Sequence, residues 1–214
     1  MSFTDHLVHS TPLRRRALLV GGLALPTLAA TQKARPDLYA CEGCEAVRER
    51  SSASLPATVR LASPDEPGEP LLLTGRVLTS EDGRPARGVV VYAHHTNADG
   101  RYAGGSAETP WSRRHGRLRG WVRTGADGRY AFETIKPGPY PGRNVPAHVH
   151  LFIGEAGRRP YYVDDVVFAG EFGVTPAYLA AQELRGGSGV VRLQRKADDG
   201  WLAVRDIRLE RHPV

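Results

Sequence analysis

The chain has 214 residues, with 29 Lys and Arg against 23 Asp and Glu, a formal net charge of +6 and 41% hydrophobic residues. That length and apolar content suit one domain with a real core plus a tail, and two Cys exclude a disulfide-dense scaffold. The basic excess is Arg scattered among acids, with no basic run interleaved with aromatics, which argues against a nucleic-acid partner.

The N-terminus reads as a targeting segment. Arg14-Arg15-Arg16 precedes an acid-free apolar run from Ala17 to Ala30, broken by Gly21, Gly22, Pro26 and Thr27. The run is too short and interrupted to span a bilayer as a helix. A charged start, a short apolar stretch and small residues at Ala29-Ala30 fit a cleaved signal peptide over residues 1–30. Arg15-Arg16-Ala17-Leu18-Leu19 resembles the twin-arginine export motif, with Arg14 where Ser or Thr usually precedes the pair. The expectation is an exported protein, periplasmic or extracellular, with no stable membrane association after cleavage. Residues 31–70 read as a linker holding Cys41-x-x-Cys44. With no second Cys pair to complete a zinc site, an exported chain would close these thiols into a local disulfide. Ser51 to Pro70, rich in Ser, Pro and Glu, reads as an extended connector.

From 71 to 214 the pattern is that of short strands. Leu71–Leu78 ends at the turn Glu81-Asp82-Gly83, and Val89–His94 is a β-branched strand. A Gly-, Ser- and Pro-containing excursion runs to His115. Arg119–Thr124 and Tyr130–Thr134 flank Asp127-Gly128, a dipeptide that favours a hairpin. Strands at His148–Ile153, Tyr161–Phe168, Gly189–Gln194 and Trp201–Leu209 follow, the last two joined through Asp198-Asp199-Gly200. One helix is expected at Thr175–Leu184, with Thr175 as cap, Pro176 in the first turn and Gly186-Gly187 beyond its end. The fold class is therefore all-β, a sandwich of mainly antiparallel strands with one short helix near the C-terminus.

The chemistry gathers between Ile135 and Ile153. Residues i and i+2 of a strand share a face, so His148 and His150 project together, close enough to hold one metal ion. Tyr140 lies eight residues before His148 in a loop braced by Pro and Gly. Phenolate is a hard anionic donor and imidazole suits iron, zinc or copper, so Tyr with two His leans toward Fe(III). Taken alone, a His-x-His pair also fits a satisfied structural pair, and a Tyr in such a loop also fits packing.

Four segments carry a resemblance. They are Asn97-Ala98-Asp99-Gly100-Arg101-Tyr102, Asp127-Gly128-Arg129-Tyr130-Ala131-Phe132, Thr134-Ile135-Lys136-Pro137-Gly138-Pro139-Tyr140-Pro141 and Pro146-Ala147-His148-Val149-His150. In this order they resemble the intradiol ring-cleavage dioxygenases, of the protocatechuate 3,4-dioxygenase kind, in an exported branch. The resemblance implies a non-haem Fe(III) held by Tyr102, Tyr140, His148 and His150. It implies a small aromatic diol and O2 as substrates, both oxygen atoms entering a muconate-type product, with Tyr140 taking a substrate proton. Tyr130, in the second Ala-Asp-Gly-Arg-Tyr copy, is then expected to pack. The family usually has Arg three residues before the first His, where this chain has Val145; Arg143, Arg119 and Arg123 are the candidates to replace it, Arg143 foremost. His94, His95 and His115 either line the pocket or are exposed. A homo-oligomer is compatible with the resemblance. The rival expectations are a non-catalytic transthyretin-like binding module and an iron-binding protein of this fold without ring cleavage.

Overall fold

A computed structural model describes residues 37–105 and 109–213. The expected signal segment, residues 1–30, lies outside the described residues. Among the described residues, eleven strands and two short α-helices are formed, besides 3-10 turns at Cys44–Arg48 and Ser52–Ser54: β1 Thr58–Arg60, β2 Pro70–Leu78, β3 Val90–His95, α1 Pro110–His115, β4 Arg119–Arg123, β5 Arg129–Ile135, β6 His148–Gly154, β7 Tyr161–Phe168, α2 Pro176–Ala181, β8 Val190–Val191, β9 Gln194–Arg195, β10 Trp201–Val204 and β11 Ile207–Arg208. Among these described residues no helix is long and apolar enough to cross a membrane.

Two sheets face each other. One runs β1-β5-β2-β10-β9, with β11 also on β2, and the other runs β4-β3-β6-β7-β8. The long pairs β2–β5, β3–β4, β3–β6 and β6–β7 are antiparallel. The parallel pairs β1–β5, β2–β10, β2–β11 and β7–β8 are short additions at the margins. Alternation on each strand sets what lies between the sheets. Leu71, Leu73, Val77, Tyr130 and Phe132 from the first sheet meet Val91, Ala93, Val122, Val149, Leu151, Ile153, Val163 and Val166 from the second. The all-β sandwich read from the sequence is the observed fold.

Because Val149, Leu151 and Ile153 point inward, His148, His150 and Phe152 must point to the outer face of the second sheet. That face is covered as well. Cys44, Ala46 and Val47 pack there against Val90, Tyr92, Trp121 and Phe152, and Trp121 Nε1 donates to the Ala46 carbonyl at 2.8 Å. Cys41 and Cys44 form a disulfide that closes the start of this covering segment.

Three expectations need correction. The stretch read as an extended connector from Ser51 to Pro70 contains β1, which pairs in parallel with β5, and Leu61 N–H continues the ladder to Glu133 O at 2.8 Å. Its Val59 and Leu61 pack on the core, so the middle of the connector is a short edge strand. Asp127-Gly128 does not make a hairpin. β4 pairs with β3 and β5 with β2, so the turn carries the chain from one sheet to the other. A side chain at Gly128 would collide with the backbone around Val77 and Pro85, which makes the crossing a close approach that only glycine permits. Finally, the excursion before His115 contains α1, capped by Thr109 and Ser112 in a reciprocal pair of bonds.

Tyr130 is 1% exposed, and its hydroxyl donates to the Arg205 carbonyl at 2.7 Å. It packs inside the sandwich, on the inner side of the first sheet. Tyr130→Phe should therefore lower the unfolding free energy by about 1–2 kcal/mol, read from denaturant melts, and leave metal binding unchanged.

Candidate metal centre

Two loops and one strand bring four side chains together. Tyr102 follows a turn in which Asn97 Oδ1 accepts the N–H groups of Asp99 and Arg101, at 3.2 and 2.9 Å. Tyr140 ends the Pro137–Tyr140 loop. The loops are tied to each other: Gly138 N–H donates to Asn97 O at 2.9 Å, and Thr96 Oγ1 donates to Gly138 O at 2.8 Å. A Cβ on Gly100 would strike the Pro139 carbonyl, and one on Gly138 would strike Ala98. The glycines of the two motifs thus exist for this backbone contact, which sets the phenols side by side with Tyr102 and Tyr140 hydroxyls 2.7 Å apart.

The imidazoles are fixed from behind. His148 Nδ1 is 2.7 Å from the Pro146 carbonyl, which can only accept, so Nδ1 carries the proton and Nε2 offers its lone pair forward. His150 Nδ1 is 2.9 Å from Asp165 Oδ1, with the same consequence. The two Nε2 atoms are 3.1 Å apart, and His150 Nε2 is 3.0 Å from the Tyr102 hydroxyl. Donors around a cation with bonds of about 2.1 Å at right angles are separated by about 3 Å, so spacings of 2.7–3.1 Å along Tyr140, Tyr102, His150 and His148 fit a metal. Two neutral imidazole lone pairs facing each other at this distance call for a positive charge between them.

Electrostatics agree. Burial holds the Tyr102 phenol well above its ordinary range, reinforced by the hydrogen bond with Tyr140. Burial also raises Tyr140, against the Tyr102 hydrogen bond and the Arg143 charge, which lower it. Neither phenol ionises near neutral pH without a cation to stabilise it. Burial and the neighbouring His150 push His148 down, keeping it neutral as a ligand must be. Burial works against a charge on His150, but the Asp165 carboxylate outweighs it and raises His150.

Asp165 was not found from the sequence. Opposite His150 the β6–β7 register shifts: Leu151 pairs with Val163 and Val149 with Val166, so Asp164 and Asp165 together oppose one residue. This β-bulge turns Asp165 toward the site instead of the core. The available signal was two consecutive acids inside Tyr161–Phe168, an otherwise apolar strand whose inward positions jump from 163 to 166.

The three undecided histidines are all buried. His94 pairs with His150 across β3–β6, lies 4.5 Å from its ring and stacks on His115 at 3.9 Å. His115, pushed down to about 4 chiefly by burial, bonds to the Tyr92 hydroxyl at 2.8 Å. His95 points to the other face and bonds to Thr134 at 2.7 Å. Of the arginines considered as replacements at position 145, Arg119 is bound to Glu49 at 2.6 Å and Arg123 to the Gly88 carbonyl. Arg143 alone acts on a donor, through its charge on Tyr140.

A family model described as "Dioxygenase" matches residues 46–184. This chain belongs to the intradiol dioxygenase family. Among similar curated proteins, catechol 1,2-dioxygenase 1 of Acinetobacter lwoffii is 37% identical over 113 residues, 45% of this chain and 35% of that protein. The protocatechuate 3,4-dioxygenase beta chain of Burkholderia cepacia is 39% identical over 92 residues, 40% of this chain and 39% of its own. The dioxygenase domain of a dioxygenase and carbohydrate-binding fusion from Streptomyces sp. SirexAA-E superposes with a TM-score of 0.53 at 25% identity, over 73% of this chain and 90% of that one. Matches to the first curated relatives span 35–58% of their lengths, so this dioxygenase-family chain covers about a third to three-fifths of them. The family is in general non-haem iron dependent, and the matched span contains all four donors and Asp165.

The Asp165 contact predicts a measurable titration in the metal-free protein. By NMR, His150 should titrate above the ordinary 6.5, since its partner favours the protonated form. The stability this pair contributes is present below the unfolded-state pKa of His and declines as pH rises through the folded value. Asp165→Asn should bring the His150 value below the wild-type one and weaken divalent metal binding by about 10–100-fold.

Proposed function

We propose that the chain is a non-haem Fe(III)-dependent intradiol dioxygenase that adds both atoms of O2 to a small catechol-like aromatic diol and gives a muconate-type product. The observation that carries this reading is the convergence of two lone-pair imidazoles and two half-buried phenols at 2.7–3.1 Å, each imidazole anchored through Nδ1. Tyr102, Tyr140, His148 and His150 would hold the iron, as hard anionic and imidazole donors suited to a trivalent ion. Bound there, ferric iron supplies Lewis acidity and a template for the two diol oxygens.

The protein's own groups divide the remaining work. Tyr140 is the less deeply buried of the two phenols and sits at the loop end, placed to take a proton from a diol hydroxyl. Arg143 favours its ionised form from the solvent side. Asp165 and the Pro146 carbonyl keep both imidazoles in the required tautomer. A cavity of about 400 Å3 opens beside His150 and Asp165, walled by Phe152, Tyr162 and Tyr178. Its size suits a single substituted ring, within a lining that also carries Glu42, Asp164 and Glu183. Val145 offers no charge, so the transition-state help of a cation at that position is absent, a deficit on the order of a few kcal/mol.

Export to an oxidising compartment forms part of the same proposal. The Cys41–Cys44 disulfide supports it, since such bonds persist outside the reducing cytosol.

Oxygen uptake by the iron-loaded chain tests the reaction. With unsubstituted catechol, one O2 should be consumed per diol, with a muconate absorbance rising in step. His148→Ala should reduce the rate by at least about a hundredfold, and Tyr140→Phe should lower kcat more than it raises KM. Iron binding without O2 uptake across a panel of catechols would leave an iron protein of this fold and reject the enzyme.

A further inference from the structure

β6 begins with the metal donors and ends at Gly154, and the structure around that far end forms a second concave site. The turn between β6 and β7, the start of β3, the end of β4 and the segment after Cys44–Arg48 enclose a cavity of about 340 Å3. Arg48, Arg50, Arg123 and Arg158 line it, with Ser52. None of the four makes a carboxylate ion pair among the described residues. Arg48 Nη2 donates to the Arg158 carbonyl at 3.0 Å, Arg123 Nε to the Gly88 carbonyl at 3.4 Å, and the Arg50 guanidinium lies 5.7 Å from the Trp121 ring centre.

Elsewhere some arginines, Arg60, Arg84, Arg117, Arg119, Arg129 and Arg185, meet carboxylates. Others, Arg76 and Arg143 among them, form no such pair among the described residues; what sets this hollow apart is that four converge on it. Only one acid borders the cavity, Glu155, and its Oε1 is already engaged by the Tyr161 hydroxyl at 3.0 Å and His212 Nε2 at 2.9 Å. Four like charges are thus gathered around one hollow against a single carboxylate, Glu155, at its border. The carbonyl contacts use one edge of the Arg48 and Arg123 guanidinium groups and the Trp121 contact one face of Arg50, and the remaining N–H donors are available in the forked geometry that matches oxyanions.

We propose that this cavity binds a multiply charged oxyanion of the phosphate class, either a free phosphate-bearing small molecule or a phospholipid headgroup. The site stands apart from the metal donors and does not depend on the dioxygenase reading. Its volume accepts a phosphate with a small attached group. Arginine stays charged throughout the usual pH range, so the dependence of binding on pH follows the ligand's own ionisation.

Titration calorimetry of the full chain with inorganic phosphate, at low salt and again at 0.15 M NaCl on the order of physiological ionic strength, tests it. The expected result is one saturable phosphate per chain, weaker in salt. The double variant Arg50→Ser/Arg158→Ser should bind about tenfold or more weakly, and Arg123→Ser should weaken binding in the same direction. Arg76→Ser, which removes an exposed charge from β2 in the other sheet, should change it less than about twofold. Thermal midpoints without phosphate, matched to wild type, separate lost binding from lost fold. Co-sedimentation with phosphatidylglycerol vesicles, reversed by phosphate, would assign the headgroup as source; saturable phosphate binding without sedimentation would assign a free molecule. Non-saturable binding, or equal weakening by Arg76→Ser, would overturn the proposal.

Discussion

Two imidazole lone pairs held face to face at 3.1 Å are the constraint around which this molecule is arranged. Left neutral and bare, the pair is repulsive, and the protein does nothing to turn either ring away. It fixes both by their far nitrogens, His148 on a backbone carbonyl and His150 on Asp165. A positive charge resolves the arrangement, whether a proton on His150, which Asp165 favours, or a metal ion, which the two phenols also require. The cost of assembling such a set without a cation is borne by the rest of the fold: a bulge in β7, two loops sealed to each other through glycine, and a covered outer sheet face.

That cover links the site to the N-terminal segment. The disulfide-closed turn places Gly43 against His115, where an added Cβ would meet the ring at 3.0 Å. His115 stacks on His94, and His94 lies tilted against His150 with ring centres 4.5 Å apart. Rings and backbone therefore run continuously from the disulfide to a candidate metal donor. The same segment continues to Arg48 and Arg50 at the other end of β6, so one strip of chain touches both concave sites.

Much of this was legible in the sequence because it rests on local rules. Alternation placed the long strands, and the i, i+2 rule put His148 and His150 on one face. The turn motifs before Tyr102 and around Tyr140 announced tight backbone contacts through their glycines and prolines. What escaped depends on partners distant in the chain. β1 looks like a polar connector because it is a short edge strand whose pairing is supplied by β5. Asp127-Gly128 has hairpin chemistry but joins strands whose partners lie in different sheets. Asp165 reaches the site only through a register shift, which strict alternation hides. The histidine stack could not be foreseen, since its members come from β3, α1 and β6 and meet only on the outer face.

The central claim, that Tyr102, Tyr140, His148 and His150 bind one ferric ion, is tested most directly by the visible spectrum of the iron-loaded chain alongside its iron content. Phenolate bound to ferric iron absorbs visible light. The account predicts a red to burgundy protein with about one iron per chain, a band that shifts in Tyr102→Phe and persists in Tyr130→Phe. A colourless protein holding no iron after iron-replete expression, or a band lost on changing Tyr130 alone, would contradict it.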